Sequence, residues 1–398
     1  MRAPVVAAAL LGAWASPAAT PSDFAALVIA RYQALPQNAG LKMMTLPDYG
    51  PSICLSAMYE CGEVFGNSSW PSWASAIASA YAADPASNAW AVLHNKTVPW
   101  GYSVGDDMGL FPIVYLARAL AGRVPYGVGD DWALASGVAE GYVLGWPLRL
   151  PDASRTISRA ASWGTEPTNN SSLWDDDLFM GVALLSRMAR APGAPAAVAQ
   201  KYATFLAEQH VAFAHYLQDG ASGLYKHGYN HATGDLSCCA WGRANGWVMM
   251  SHAETAEALA AVDAAHPALP AVLAIWRAHA AGLARVQAPG DGRFHQVLDV
   301  PSTFLETSVT AMTLYSLATG VRRGWLDRAT FAPVIDAAWA GLNKAVDADG
   351  TVTGICEGTG IGTSVAFYEA RATAYNVSAP GLGSVFRAAA AYALYLAA

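Results

Sequence analysis

Charge is scarce in this chain. Only 13% of its 398 residues are Asp, Glu, Lys or Arg, and the net charge is −7 with no basic cluster anywhere. Phosphate binding requires Lys and Arg gathered on one face, so nucleic acid is not an expected partner. Strand signals are few beside a recurrent helical periodicity, which argues against a sheet protein. After the N-terminus no segment offers about 18 uninterrupted apolar residues, so no membrane partner is expected either. Cysteine is limited to Cys54, Cys61, Cys238, Cys239 and Cys356. Cys54 and Cys61 are spaced to close a short loop in an oxidising compartment; adjacent Cys238 and Cys239 are not expected to bridge to each other, so one of them is expected to reach Cys356. A catalytic thiol is disfavoured, because no base stands near these residues in sequence.

What the chain does have is apolar bulk: 54% hydrophobic residues, with 14 Trp and 17 Tyr. This suits a large core and an aromatic-lined groove. Met1-Arg2, an apolar stretch through Ala13 and then Ser16-Pro17-Ala18 follow the pattern of a secretory signal, predicted to span residues 1–18. Residues 19–398 are expected to form a single domain, since no linker divides them. Sequons beginning at Asn67, Asn95, Asn169, Asn170 and Asn376 fit a secreted, extracellular glycoprotein.

Helical periodicity recurs over residues 22–34, 72–83, 107–121, 131–146, 176–190, 195–217, 245–263, 269–287, 304–319, 327–346 and 383–397. The chain is predicted to be all-α. Polar and aromatic clusters precede the helices near 107, 176, 245 and 304, with another at Gly354 to Ser364, spaced by about 60 to 70 residues, room for two helices each. If every interval is a helical hairpin, alternate helices start at one end of the molecule and the clusters converge there. Six such hairpins closed into a ring make a double-walled (α/α)6 barrel. That needs twelve helices and the periodicity marks eleven, so closure is an inference, with an open α-solenoid as the alternative.

Three consecutive acids, Asp175, Asp176 and Asp177, lie between Trp174 and a long apolar run. One acid suffices for a helix start. One of the three is expected to cap, one to be solvated, and the third to point into low dielectric, where a raised pKa suits a general acid. Asp106 and Asp107 follow Trp100-Gly101-Tyr102 in the first cluster; one can cap and the other face the cleft. Trp241-Gly242-Arg243-Ala244-Asn245-Gly246-Trp247 combines flat indoles with a guanidinium that matches a carboxylate bidentately; Asn245 is a candidate helix cap. His227 and His231 have a spacing that could bind metal on a helix, but Gly228 argues against helix there, no third ligand is apparent, and a hydrogen-bonding histidine is preferred. Glu306 is as suited to anchoring loops as to touching ligand. Gly358 to Gly362 superficially matches a phosphate loop but lacks the Lys.

Together these clusters resemble the unsaturated rhamnogalacturonyl hydrolases of glycoside hydrolase family 105, relatives of the unsaturated glucuronyl hydrolases. Trp241 to Trp247 is similar to that family's Trp-x-Arg-Gly-Asn-Gly-Trp motif, with Ala244 for Gly. Asp176-Asp177-Leu178-Phe179-Met180 is similar to its Asp-x-Leu-x-Met motif, and His295 to Asp299 with Glu306-Thr307-Ser308 to its later block. The resemblance implies an (α/α)6 barrel that hydrates the vinyl ether of a 4,5-unsaturated uronate at the end of an oligosaccharide, with neither metal nor organic cofactor. It further implies Asp176 as acid and base, its pKa raised by its apolar setting, with Asp106 or Asp107 assisting. Arg243 and His227 would hold the uronate and its hydroxyls, Trp241 and Trp247 would stack on sugar, and Tyr102 would join the substrate contacts. Rhamnogalacturonan fragments are the expected substrate; other unsaturated glucuronyl fragments, or carbohydrate binding without turnover, are the alternatives.

Overall fold

The structure, a computed structural model, describes residues 20–35, 49–96, 111–159, 162–163, 166–167, 172–374 and 380–398. Among them, helices alternate between two shells. Outer α1 (Pro21–Ala34) leads to inner α2 (Tyr49–Phe65); outer α3 (Ser69–Ala83) and short α4 (Asn88–Leu93) lead to inner α5 (Pro112–Ala121). Outer α6 (Asp130–Val138) precedes α7 (Asp177–Met180) and inner α8 (Ala183–Ala189). The hairpins α9 (Ala196–Leu217) with α10 (Gly242–Val262) and α11 (Leu269–Val286) with α12 (Thr307–Arg322) follow. Outer α13 (Arg328–Lys344), short α14 (Val365–Glu369) and inner α15 (Leu382–Leu396) complete the chain. Each inner helix packs against the next, and α15 packs on both α12 and α2, so the ring closes. The expected (α/α)6 architecture is therefore formed, and the open solenoid is not.

The helix that periodicity did not mark is α2. Its residues from Gly50 to Tyr59 are all buried, and a helix buried on every side has no polar face to set a 3.6-residue rhythm. Outer α11 shows the contrast, with Leu269, Val272, Leu273, Trp276, His279, Ala280 and Leu283 buried along one stripe. Close approach at the seam depends on Gly383: a Cβ there would lie 2.6 Å from the backbone nitrogen of Cys54. Cys54 and Cys61 share α2 and form no disulfide with each other. Seven residues along a helix are about 10 Å apart, too far for a disulfide, which corrects the expected loop closure. The predicted signal segment, and Asn169, Asn170 and Asn376, lie outside the described residues.

A buried ionic cluster ties the inner shell. Glu254 of α10 accepts from Arg187 of α8 (Nε 3.1 Å, Nη2 2.9 Å) and lies 2.8 Å from Arg387 of α15. Arg187 reaches Ser56 of α2 at 2.8 Å, and Arg387 donates to Glu60 of α2 and to Tyr315 of α12, each at 2.8 Å. Burial opposes ionisation of Glu254, but Arg187 and Arg387 prevail and hold its carboxyl far below the ordinary range. Beside it a file of buried histidines backs α10. Asn245 Oδ1 can only accept, so His279 Nε2, 3.0 Å away, carries the proton, and His279 Nδ1 accepts from His252 Nε2 at 3.3 Å.

Two outcomes are expected. Glu254→Gln leaves Arg187 and Arg387 to share Glu60 as their counter-charge and costs about 3 kcal/mol, read by denaturant unfolding at neutral pH. Burial pulls His279 to about 3 and His210 to about 4, and His252 well below its ordinary 6.5. These groups stay neutral when folded but take up protons when unfolded, so their contribution is complete above about pH 6.5 and is lost as pH falls toward 4 and 3. Denaturant midpoints measured across that window should drop in wild type and drop less in a His279→Gln variant.

Candidate active site

The loops that enter the inner helices carry short strands, and these bring distant residues together. β1 (Ser162–Trp163) pairs with β2 (Glu166–Pro167), and β3 (Ser172–Trp174) pairs antiparallel with β4 (Gly228–Asn230), which also pairs with β5 (Asp235–Leu236). The register sets Trp174 opposite Gly228. The acidic triplet thereby emerges directly beside His227, whose backbone is held from both sides: its carbonyl accepts from Asp175 N–H at 3.3 Å and its N–H donates to Cys239 O at 3.1 Å. β6 (Phe294–His295) pairs with β7 (Leu305–Glu306), and β8 (Ile355–Cys356) with β9 (Thr373–Ala374). His227 sits before a strand, so the helical spacing that would pair it with His231 does not arise.

The three acids differ sharply, and neither a side-chain cap nor a solvated member is found. Asp177 forms a two-point ion pair with Arg159, Nε to Oδ2 at 2.9 Å and Nη2 to Oδ1 at 2.8 Å. The guanidinium of Arg159 also lies 4.0 Å from the Trp174 ring centroid. Asp176, at the N-cap position of α7, makes no capping hydrogen bond. Its Oδ2 lies 3.3 Å from His227 Nε2 instead. It is the one member of the triplet with measurable exposure, 7% against 0% for the other two. Asp175 is enclosed, and among the described residues neither of its carboxyl oxygens has a hydrogen-bond partner.

These settings divide the protonation states. Burial, reinforced by the neighbouring charge of Asp176, pushes Asp175 well above the ordinary range and favours its neutral form. Burial also works against ionised Asp176, but the hydrogen bond from His227, with the charges of Arg159 and Arg243 beyond, holds it below the ordinary range. The expectation that the apolar setting raises Asp176 is corrected: in the unliganded site that effect falls on Asp175. Burial lowers His227 in spite of Asp176, so the imidazole is neutral. Tyr368 fixes its tautomer. The Tyr368 hydroxyl accepts from Gly362 N–H at 2.9 Å and lies 2.8 Å from His227 Nδ1. Its proton goes to Nδ1, and Nε2–H then faces Asp176.

Arg243, in the first turn of α10, is buried but half-committed. Nη1 donates to Cys356 O at 2.5 Å and lies 3.9 Å from Glu306. Among the described residues, the Nε and Nη2 edge makes no hydrogen bond, which leaves the geometry that grips a carboxylate bidentately. Trp241 supports this guanidinium at 4.6 Å and packs at 4.7 Å from His227, with 2% of its surface exposed. Trp247 is fully buried and stacked on Phe179 at 5.0 Å, so its face is not offered to a sugar. Trp174, half-buried and edge-on to His227, is the better-placed indole.

Asn245 does not cap α10: its side chain binds the backbone of Tyr225, accepting from N–H at 2.8 Å and donating to O at 2.9 Å, which holds the strand that leads to His227. Glu306 anchors loops, accepting from Val309 N–H at 2.7 Å and Cys356 N–H at 2.9 Å. The Gly358 to Gly362 loop backs the site through Gly362 and Tyr368. Asp106, Asp107 and Tyr102 lie outside the described residues. Arg159 and Tyr368 are site residues that sequence reasoning missed, and no motif or spacing marks either one. Asp175, Asp176 and His227 each bring one donor atom within 4.8 Å of the others, the one such grouping among the described residues. The tendency of Asp175 to stay protonated and the charges of Arg159 and Arg243 oppose a cation there.

Residues 152–395 match the domain of Glycosyl Hydrolase Family 88. A stretch of 146 residues is 30% identical to the unsaturated rhamnogalacturonyl hydrolase YesR of Bacillus subtilis, covering 36% of this chain and 39% of that protein. Another of 184 residues is 28% identical to an unsaturated 3S-rhamnoglycuronyl hydrolase of an Alteromonas species, covering 45% and 42%. These matches thus span about two fifths of each relative's length. The crystal structure of a possible family 105 member from Salmonella enterica shares the fold, with a TM-score of 0.74 over 99% of both chains at 19% identity. The family match runs from the loop before the acidic triplet through α15 and takes in Asp176, His227 and Arg243: the chain belongs to Glycosyl Hydrolase Family 88.

Proposed function

We propose that this protein releases 4,5-unsaturated galacturonic acid from rhamnogalacturonan-derived oligosaccharides by hydrating the vinyl ether double bond. The observation that carries this reading is the pairing of the least enclosed acid of the triplet, Asp176, with an uncommitted guanidinium edge on the nearby Arg243. A uronate carboxylate taking that edge neutralises the cation that helps hold Asp176 ionised. It also adds negative charge and expels water. Each effect raises the pKa of Asp176, which then takes up a proton as substrate binds.

Protonated Asp176 delivers its proton to C4. The double-bond electrons form the new C–H bond, and positive charge spreads over C5 and the ring oxygen. Asp176, now a carboxylate, accepts a proton from the water that adds to C5 and returns to its acid form. The hemiketal so formed opens and expels the remaining sugar as an alcohol. One carboxyl serves both steps, unlike the paired carboxyls of ordinary glycosidases. His227, oriented by Tyr368, keeps Asp176 in place. Trp174 offers a partly open face beside them. Secretion belongs to the same reading, since fragments of this kind arise outside the cell that degrades the polymer.

The ultraviolet absorbance of the conjugated double bond disappears on hydration, so lyase-generated rhamnogalacturonan and glucuronan fragments can be assayed in parallel. Loss of absorbance on the former is expected; persistence with both would sink the proposal. Asp176→Asn should lower kcat by about 10²–10⁴-fold, while Asp175→Asn, which keeps a neutral group of the same shape, should retain most turnover. The reverse result would reassign the acid. Because Asp176 is held low in the free enzyme and raised by substrate, kcat/KM should begin to fall at lower pH than kcat does as pH increases. Tyr368→Phe should lower kcat by about 10-fold to 100-fold through misplacement of His227, at nearly unchanged thermal stability.

A further inference from the structure

Cys238 and Cys239 are joined to each other by a disulfide between adjacent residues, whereas Cys356 is free and buried. The expected bridge to Cys356 is therefore absent. Burial pushes the Cys356 thiol up, and a protonated thiol does not attack a neighbouring disulfide, so the adjacent pairing stays local.

The bonded pair lies on the segment that holds the site from behind. Cys239 O accepts His227 N–H at 3.1 Å and the Ser237 hydroxyl at 3.3 Å, while Cys238 O accepts from Lys226 Nζ at 2.9 Å. Ser237 and Gly228 exchange bonds in both directions, Ser237 N–H to Gly228 O at 2.9 Å and Gly228 N–H to Ser237 Oγ at 3.2 Å. On the other side Ala240 O accepts Leu298 N–H at 3.0 Å and Gly242 N–H donates to Gln296 O at 2.7 Å. The same few residues thus set the backbone of His227 and the entry to Trp241 and Arg243. Cys239 is buried against Trp241, Cys356 and Tyr368, but Cys238 is half-buried, within reach of a small reagent.

We infer that the Cys238–Cys239 disulfide is a positioning element for His227, and that its reduction lowers turnover without unfolding the barrel. Bonded sulfurs on adjacent residues confine the dipeptide to a small ring. Once reduced, the two sulfurs must separate to van der Waals distance, so the dipeptide backbone relaxes and the Cys239 carbonyl moves relative to His227. The chemistry balances with an external dithiol: its thiolate attacks the Cys238 sulfur and releases the Cys239 thiolate, and its second thiol closes on the mixed disulfide and releases Cys238. The protein gains two electrons and two protons, and the reagent becomes a cyclic disulfide. The inference rests on the proposed function only through the choice of assay.

Dithiothreitol-treated and untreated wild type are compared with a Cys238→Ser/Cys239→Ser double variant. Untreated protein, denatured, should titrate with three thiols and treated protein with five. Reduction should lower kcat by about tenfold with KM little changed, speed amide exchange at His227 and Gly228, and leave the unfolding midpoint nearly unmoved. Oxidised glutathione should restore all of these, and the double variant should sit at the reduced level and ignore the reagent. Five thiols in untreated protein, unchanged kcat and exchange after reduction, or an equal response of the double variant would each overturn the inference. If neither oligosaccharide is turned over, the functional reading has failed, and the exchange measurement alone decides this one.

Discussion

The arrangement on which the rest depends is the buried charge cluster around Glu254. A barrel of helices buried on all sides has little to set the rotation and height of each helix, because apolar contacts are non-directional. Hydrogen-bonded charges are directional. Glu254 with Arg187 and Arg387, and through them Ser56, Glu60 and Tyr315, fixes α10, α8, α15, α2 and α12 against one another. The cluster sits about 16 Å along α10 from Arg243. The site loops are therefore placed by a rigid frame that takes no part in the chemistry.

On that frame the site uses backbone to hold side chains. His227 is positioned by the hydrogen bonds of its own peptide to Asp175 and Cys239, and its ring by Tyr368. Arg243 is anchored through one nitrogen, and among the described residues its remaining edge makes no hydrogen bond. The three consecutive acids show how far position outweighs residue type. Asp177 is paired with Arg159, enclosure favours the neutral form of Asp175, and Asp176 is held low by an imidazole. In the proposed mechanism a bound uronate raises Asp176, and a charge state that depends on the ligand suits a group acting as acid at one step and base at the next.

Much of this was legible from residues alone, and unevenly so. Outer helices announced themselves through one-sided burial, as in α11. Inner α2 did not, because uniform burial erases periodicity, and with it went direct evidence for closure. Asp176 and Arg243 were marked by motifs that contain them, and His227 by its spacing from His231. Arg159 and Tyr368 belong to no motif; they matter through contacts of 2.8 to 2.9 Å made across long stretches of chain. The cysteines were misread for a related reason. A pairing depends on which sulfurs the fold brings together, and spacing said nothing of the helix that keeps Cys54 from Cys61.

By itself, then, the order of residues determined the helical class, the repeat that gathers loops at one end, and the short list of side chains able to do chemistry there. Local periodicity and motif spacing encode those features directly. Only the tertiary structure decided which acid is neutral and which ionised, which indole is open and which is core, and that Cys238 bonds to its neighbour. Each of those depends on dielectric, charge and contact at a point in space. Residues far apart in the chain, Arg159, Glu306, Tyr368 and the loop around Gly362, supply that environment.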